Sequence, residues 1–291
     1  MWSDIAAEVS EKTGKNCRLG HPVSVSGGCI NQAWRVPSSA GELFIKVNQA
    51  SKLAMFEAEE AGLRELQQCR LLNIPVPICS GVADEHSWLV MNDLELGGSG
   101  NSIELGRGLA EMHGITAEKF GWLRENTIGS TRQINTLEND WLTFWREHRL
   151  RIQLEMAAVH GAGSQFIGLG ESLLISLPDL LADHQPAPSL LHGDLWSGNY
   201  AWTLQGKPAI FDPAVYYGDR ETDLAMTKLF GGFGKDFYAA YEERLPLSTG
   251  YALRKNLYNL YHVLNHFNLF GGSYLSQARA MMQRLLSEVK G

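Results

Sequence analysis

From Val23 to Met91 the apolar and polar positions keep a short, strand-like period, broken once by a helical stretch. Val23-Ser-Val-Ser, Ala33-Trp-Arg-Val36 and Leu43-Phe-Ile-Lys-Val47 read as strands, the last two forming a hairpin about the turn Ser38-Ser-Ala-Gly41. Over residues 53–72 the spacing changes. Leu53, Phe56, Leu63, Leu66 and Leu71 can share one helix face, until Pro75 and Pro77 end the pattern. Ser87-Trp-Leu-Val-Met91 suits a buried strand, and Leu96-Gly-Gly-Ser-Gly100 reads as a linker. Beyond it the period is mainly helical. Leu105, Leu109, Met112 and His113 form one amphipathic stretch; Leu137, Trp141, Phe144, Trp145 and His148 form another. Between Pro188 and Pro213 the helical pattern lapses, and Ser189-Leu-Leu-His192 and Pro208-Ala-Ile-Phe211 predict the two strands of a hairpin-like element. Helices resume from about Thr222. The fold class expected is α+β. A small β-rich lobe with one helix (residues 1–94) precedes a larger, mainly helical lobe (residues 95–291).

With 291 residues and 44% hydrophobic side chains, the chain can build a core without staples, which excludes a disordered protein. No apolar run approaches the roughly 20 residues needed to span a bilayer. The acids within Met1-Trp-Ser-Asp-Ile-Ala-Ala-Glu-Val9 are unlike the basic start of a signal peptide. A net charge of −7 has the wrong sign for broad binding to nucleic acid or an anionic membrane. Cys17, Cys29, Cys69 and Cys79 lack C-x-x-C spacing and are too few for a disulfide framework, so a cytoplasmic location is expected.

The densest polar chemistry falls in His192-Gly-Asp-Leu-Trp-Ser-Gly-Asn199, followed by Ala209-Ile-Phe-Asp212. Apolar strand residues deliver Asp194 to a turn, Asn199 follows five residues later, and Pro213 stops the next strand just after Asp212. One Asp and one Asn supply hard oxygen ligands suited to Mg²⁺, and the other Asp can take a proton from an attacking hydroxyl. This is the H-x-D-x-x-x-x-N and strand-end Asp pattern of kinase-type phosphoryl transfer. Lys46 is the one cation of an apolar strand, placed to hold ATP phosphates, with Glu57, Glu59 and Glu60 on the next helix as possible partners. Ser26-Gly27-Gly28-Cys29 lies between strands, where the glycines let backbone N–H groups approach phosphate oxygens. Met91, Asn92 and Leu94 lie in the connection between lobes, where backbone groups can read an adenine edge. The run Arg146-Glu-His-Arg-Leu-Arg151 reads as a solvated helix face, and Phe230-Gly-Gly-Phe-Gly234 as a connection. His113, His160 and His262 read as structural.

Taken in order, these residues resemble the fructosamine kinase (ketosamine-3-kinase) family, a branch of the aminoglycoside-phosphotransferase group with a protein-kinase-like fold. Leu191-His-Gly-Asp-Leu-Trp-Ser-Gly-Asn199 and Phe211-Asp-Pro-Ala-Val-Tyr-Tyr-Gly-Asp-Arg-Glu-Thr-Asp-Leu-Ala225 are similar to its two signatures, and the likeness runs from about Ser24 to Leu286. The resemblance implies ATP and Mg²⁺, with Asp194 as base, Asn199 and Asp212 on the metal, and Lys46 on phosphate. It selects Glu59 as the partner of Lys46. It also implies that Asp223 braces the catalytic loop and that Trp196 and His266 lie near the sugar. The acceptor would be the sugar 3-hydroxyl of a ketosamine, free or protein-linked, and the labile phosphoester would then release the amine. An aminoglycoside- or choline-type acceptor, or a nucleotide-binding pseudokinase, are the alternatives. Some members carry a cysteine in the glycine loop, so Cys29 could link a redox-sensitive homodimer of an otherwise monomeric chain. Ser26 departs from the small residue often found at its position.

Overall fold

Helix α1 (Trp2–Thr13) opens the chain, with Ile5 and Val9 one turn apart on its buried face. The computed structural model describes residues 1–25 and 31–289. Strands β1 (Val23–Val25), β2 (Gln32–Ser38) and β3 (Gly41–Gln49) lead to helix α2 (Leu53–Leu66), then to β4 (Pro77–Ala83) and β5 (His86–Asn92). The five strands form an antiparallel sheet in the order β1-β2-β3-β5-β4. The hairpin of β2 and β3 turns at Ser39-Ala40, as its sequence predicts. Strand β4 escaped the sequence reading because Pro75, Pro77 and Gly81 look like breakers. It is an edge strand, and Pro77 is its first residue, where a missing N–H is tolerated.

The sheet has two unlike faces. Leu43, Ile45 and Val47 pack with Val36, Trp88, Val90 and the α1 residues Ile5 and Val9. Phe44, Leu89 and Met91 pack on the opposite face with α2, through Phe56, Leu63 and Leu66. The period of two puts Lys46 on this second face, directly across from Leu89. Helix α2 stops at Leu66, short of the predicted residue 72, and Leu71 is 45% exposed.

Next come α3 (Ser102–His113) and the hairpin β6 (Asn126–Ile128) and β7 (Thr131–Gln133). A helix then runs through α4 (Trp141–Trp145), a π-helical Arg146–Arg151 and α5 (Ile152–Val159), before α6 (Ser164–Leu180). Four short strands follow: β8 (Ser189–Leu191), β9 (Tyr200–Trp202), β10 (Pro208–Ile210) and β11 (Tyr216–Gly218). Helices α7 (Glu221–Met226), α8 (Lys235–Arg244), α9 (Tyr251–Phe270) and α10 (Tyr274–Val289) close the fold around α9, whose core-facing residues include Leu257, Leu260, Leu264 and Phe267. Among the described residues no helix is long and apolar enough to cross a membrane.

Further sequence expectations change. Residues 1–94 carry two helices, α1 and α2, where one was expected, because the amphipathic face of Ile5 and Val9 covers the sheet. The strands at 189 and 208 are not partners: β8 pairs with β11, and the β9–β10 hairpin is nested between them. Leu96-Gly-Gly-Ser-Gly100 is a packed crossing, since Leu96 bridges to Thr203 and a Cβ on Gly98 would fall 2.0 Å from the Thr203 carbonyl oxygen. Leu137 precedes the helix it was expected to join and is 43% exposed. Arg149, read as part of a solvated face, is wholly buried.

Candidate active site

The nesting of two ladders creates the site. The 192–199 turn leaves β8 and enters β9, while 211–215 leaves β10 and enters β11, so both cross from one ladder to the other side by side. Two backbone hydrogen bonds join them, Phe211 N to Asn199 O at 3.1 Å and Ala214 N to His192 O at 2.8 Å. His192 adds a third tie. Its Nε2 donates to Phe211 O (2.9 Å) and its Nδ1 accepts from Asp194 N (3.3 Å). Burial holds this imidazole below its usual pKa, in keeping with a neutral ring that donates at one nitrogen and accepts at the other.

Asp194, Asn199 and Asp212 converge at this seam. Asn199 Nδ2 donates to Asp194 O (2.9 Å) and, at longer range, to Asp194 Oδ2 (3.3 Å) and Asp212 O (3.5 Å). Asp212 takes a left-handed φ of +59°, which turns its carboxylate toward the sheet. There Lys46 Nζ donates to Asp212 Oδ1 at 2.5 Å and to Glu59 Oε1. Of the three acids on α2, Glu59 makes this contact; Glu60 is taken by Arg64 and Ser80, and Glu57 points to Arg124. The direct pair of Lys46 with Asp212 had no signal in the sequence, because 166 residues separate them.

The electrostatics follow from burial and crowding. Burial would strip Lys46 of its proton, but the carboxylates of Asp212 and Glu59 outweigh it and raise its pKa, so the lysine stays charged. Asp194 is pushed well above the usual carboxylate range, first by desolvation and then by the charges of Asp212 and Asp223. Two oxygens at the seam, Asn199 Oδ1 and Asp212 Oδ2, make no hydrogen bond among the described residues, and the Asp212 side chain is 49% exposed. A hard, partly open oxygen pair beside a fixed lysine fits Mg²⁺ carried in on a nucleotide's phosphates.

The other candidates are distributed unevenly. Met91 is buried in the core, and the side chain of Asn92 is spent on Val76 N (2.6 Å), so neither side chain is open to a ligand. Leu94 is half-buried, and its backbone makes no hydrogen bond among the described residues. Trp196 is 38% exposed and meets Phe230 edge-on (6.4 Å), while His266 packs against Phe230 at 4.7 Å. Phe230, read from sequence as part of a connection, is thus a ring that both of them meet. Ser26, Gly27, Gly28 and Cys29 lie outside the described residues. The described cysteines Cys17, Cys69 and Cys79 are buried free thiols. A separate cavity of about 360 Å³, lined in part by Phe120, Trp141, Leu181 and His184, shares none of these residues.

Comparison with known proteins places the chain in a family. The family model described as fructosamine kinase matches residues 1–288. The probable ketoamine kinase of Synechocystis is 45% identical over 289 residues, covering 98% of this chain and 97% of that protein. The protein-ribulosamine 3-kinase of Arabidopsis thaliana is 43% identical over 281 residues, covering 95% and 86%. Among solved structures, a candidate fructosamine-3-kinase of Haemophilus somnus superposes with a TM-score of 0.88 at 30% identity, covering 98% of each chain. Aminoglycoside phosphotransferase APH(4)-Ia shares the fold alone, with a TM-score of 0.60 at 15% identity over 99% of each chain. On sequence and architecture together, this chain belongs to the fructosamine kinase family.

Proposed function

We propose that the protein transfers the γ-phosphoryl group of ATP to the sugar 3-hydroxyl of a ketosamine, with Asp194 as the base. The convergence of Asp194, Asn199 and Asp212 opposite the Lys46–Glu59 pair carries this reading. In it, residues 1–94 hold the nucleotide, with the Gly27-Gly28 loop over its phosphates, Lys46 on them, and the open backbone of Leu94 at the adenine edge. Residues 95–291 hold the acceptor. Lys46 exchanges its bond to Asp212 for one to phosphate when ATP binds, which frees Asp212 to face the metal. Asn199 and Asp212 would hold Mg²⁺, which when bound neutralises phosphate charge. The acceptor hydroxyl gives its proton to Asp194 Oδ as its oxygen bonds to phosphorus, and ADP leaves. Because the transition state is loose, alignment and charge neutralisation supply most of the acceleration. Trp196 offers an aromatic face to sugar C–H groups while hydroxyls pair at its edge. The buried thiols suit a cytoplasmic protein.

The test is incubation with ATP, Mg²⁺ and a panel of glycated lysines (fructosyl, ribulosyl and erythrulosyl), with aminoglycosides and choline as control acceptors. New ³¹P and ¹³C signals from a 3-phosphate on one or more ketosamines support the reading. Phosphate transfer to a control acceptor only, or ATP binding with no transfer to any of them, overturns it.

A further inference from the structure

The loop that carries Asp194 is held from behind by buried groups outside the Asp194, Asn199 and Asp212 set. Asp223, in α7, accepts His192 N at Oδ2 (2.8 Å) and Gly193 N at Oδ1 (2.9 Å), so one carboxylate grips the two amides that precede Asp194. Gly193 sits at φ +81°, and a Cβ there would fall 2.1 Å from Ala214 O, so this turn accepts no other residue without shifting. Asp223 is itself held. His113, in α3, places Nε2 at 3.2 Å from Asp223 Oδ2, and its Nδ1 lies 2.8 Å from the hydroxyl of Tyr241 in α8. Arg220 Nη1 donates to that same hydroxyl oxygen (3.0 Å), and Arg220 is anchored by the carbonyls of Leu245 and Pro246. His113, Asp223 and Tyr241 are all at most 1% exposed. A carboxylate only accepts, so His113 Nε2 carries the hydrogen that faces Asp223; in that tautomer Nδ1 accepts the phenol proton of Tyr241, whose oxygen takes the Arg220 N–H. From Arg220 through Tyr241 to His113 each donor thus points toward the Asp223 carboxylate, which the loop amides meet from the other end.

We infer that His113 is a positioning residue for phosphoryl transfer: Arg220, Tyr241 and His113 form a directed chain that orients the Asp223 carboxylate, and through it the backbone that aims Asp194. This rests on the reading of Asp194 as the base. The two fail separately, because loss of turnover in Asp194→Asn tests the base and amide exchange tests the brace without any turnover.

His113→Phe keeps the ring and removes both hydrogen bonds. It is expected to lower kcat about 10- to 100-fold with KM for ATP and ketosamine within twofold of the parent, and to speed hydrogen exchange at the His192 and Gly193 amides. His113→Gln, which can still offer an N–H to Asp223, is expected to recover most of kcat and of the exchange protection. Tyr241→Phe, milder in volume, is expected to lower kcat severalfold in the same pattern and serves if His113→Phe fails to fold. Unchanged kcat in a folded His113→Phe or Tyr241→Phe, a parallel rise in KM, or failure of His113→Gln to restore kcat would each overturn the inference. So would unaltered exchange at the two amides.

Discussion

At Asp194 the needs of chemistry and of stability oppose each other. Crowding by Asp212 and Asp223 in a desolvated seam raises its pKa, so the free enzyme pays for an ionised Asp194 at every pH above that value. Asp194→Asn is therefore expected to lower phosphorylation about 10³-fold, the scale of a general base, while ATP binding by calorimetry persists. It is also expected to raise Tm at pH 8, by about 2 °C for each kcal/mol relieved. The sign reverses nothing at low pH: below the ordinary carboxylate range of about 3.9 both states are protonated, and the gain disappears. For the same reason kcat/KM, which reports the free enzyme, is expected to fall with decreasing pH through a midpoint above that range. Lys46 shows the opposite case. Lys46→Met leaves Glu59 buried beside Asp212 with no cation, so a loss of about 3 kcal/mol in urea melts is expected, along with a collapse of kcat/KM for ATP. Both residues were legible in the sequence from their neighbours. Their mutual charges were not, since the distances that set them span the whole chain.

Individual elements were legible where a period ran uncontested, and failed where a distant group intervened. The hairpin of β2 and β3 and the strand β5 follow their alternation. Helix α2 does not follow its own pattern to the end, because Glu111 of α3 reaches over and accepts from Leu71 N (2.8 Å), Arg70 N (3.1 Å) and Cys69 Sγ (3.2 Å). That carboxylate outbids another helical turn. Glu111→Ala is expected to cost about 1 kcal/mol, read from denaturant melts, with kcat unchanged, since the bonds lie partly in solvent. Arg149 failed differently. A π-helical turn at Arg146–Arg151 shifts the register of the face, so Arg149 points inward over the rings of Phe144 (4.6 Å) and Tyr216 (4.1 Å), donating to Ile134 O and Asn135 Oδ1. Its neighbours Arg146 and Arg151 stay half-buried, paired with Glu147, as a solvated face would have them. Three arginines within six residues carry no mark of which one turns in.

For the molecule as a whole, the seam is assembled from the sheet and two nested ladders, and in the proposed mechanism the metal comes with the nucleotide. EDTA is therefore expected to abolish turnover while shifting the Tm of the nucleotide-free protein by less than about 1 °C, because Asp212 already has Lys46 as its counter-charge. A large loss of Tm on chelation would mean a resident structural ion instead. The α+β class, the main strands and helices from β2 to α3, and the identity of the acidic, amide and lysine groups were written in local pattern, since period and turn chemistry act over a few residues; α1 and β4 were not. Family likeness then supplied roles for them. What the local pattern left open was settled by packing: that β8 pairs with β11 around the β9–β10 hairpin, that Glu59 rather than Glu57 or Glu60 meets Lys46, that Phe230 meets both Trp196 and His266, and that His113 backs Asp223. Each of these depends on which surfaces meet well beyond the few residues that a local period covers, or on which way one helix face turns, and only the closed tertiary structure decides that.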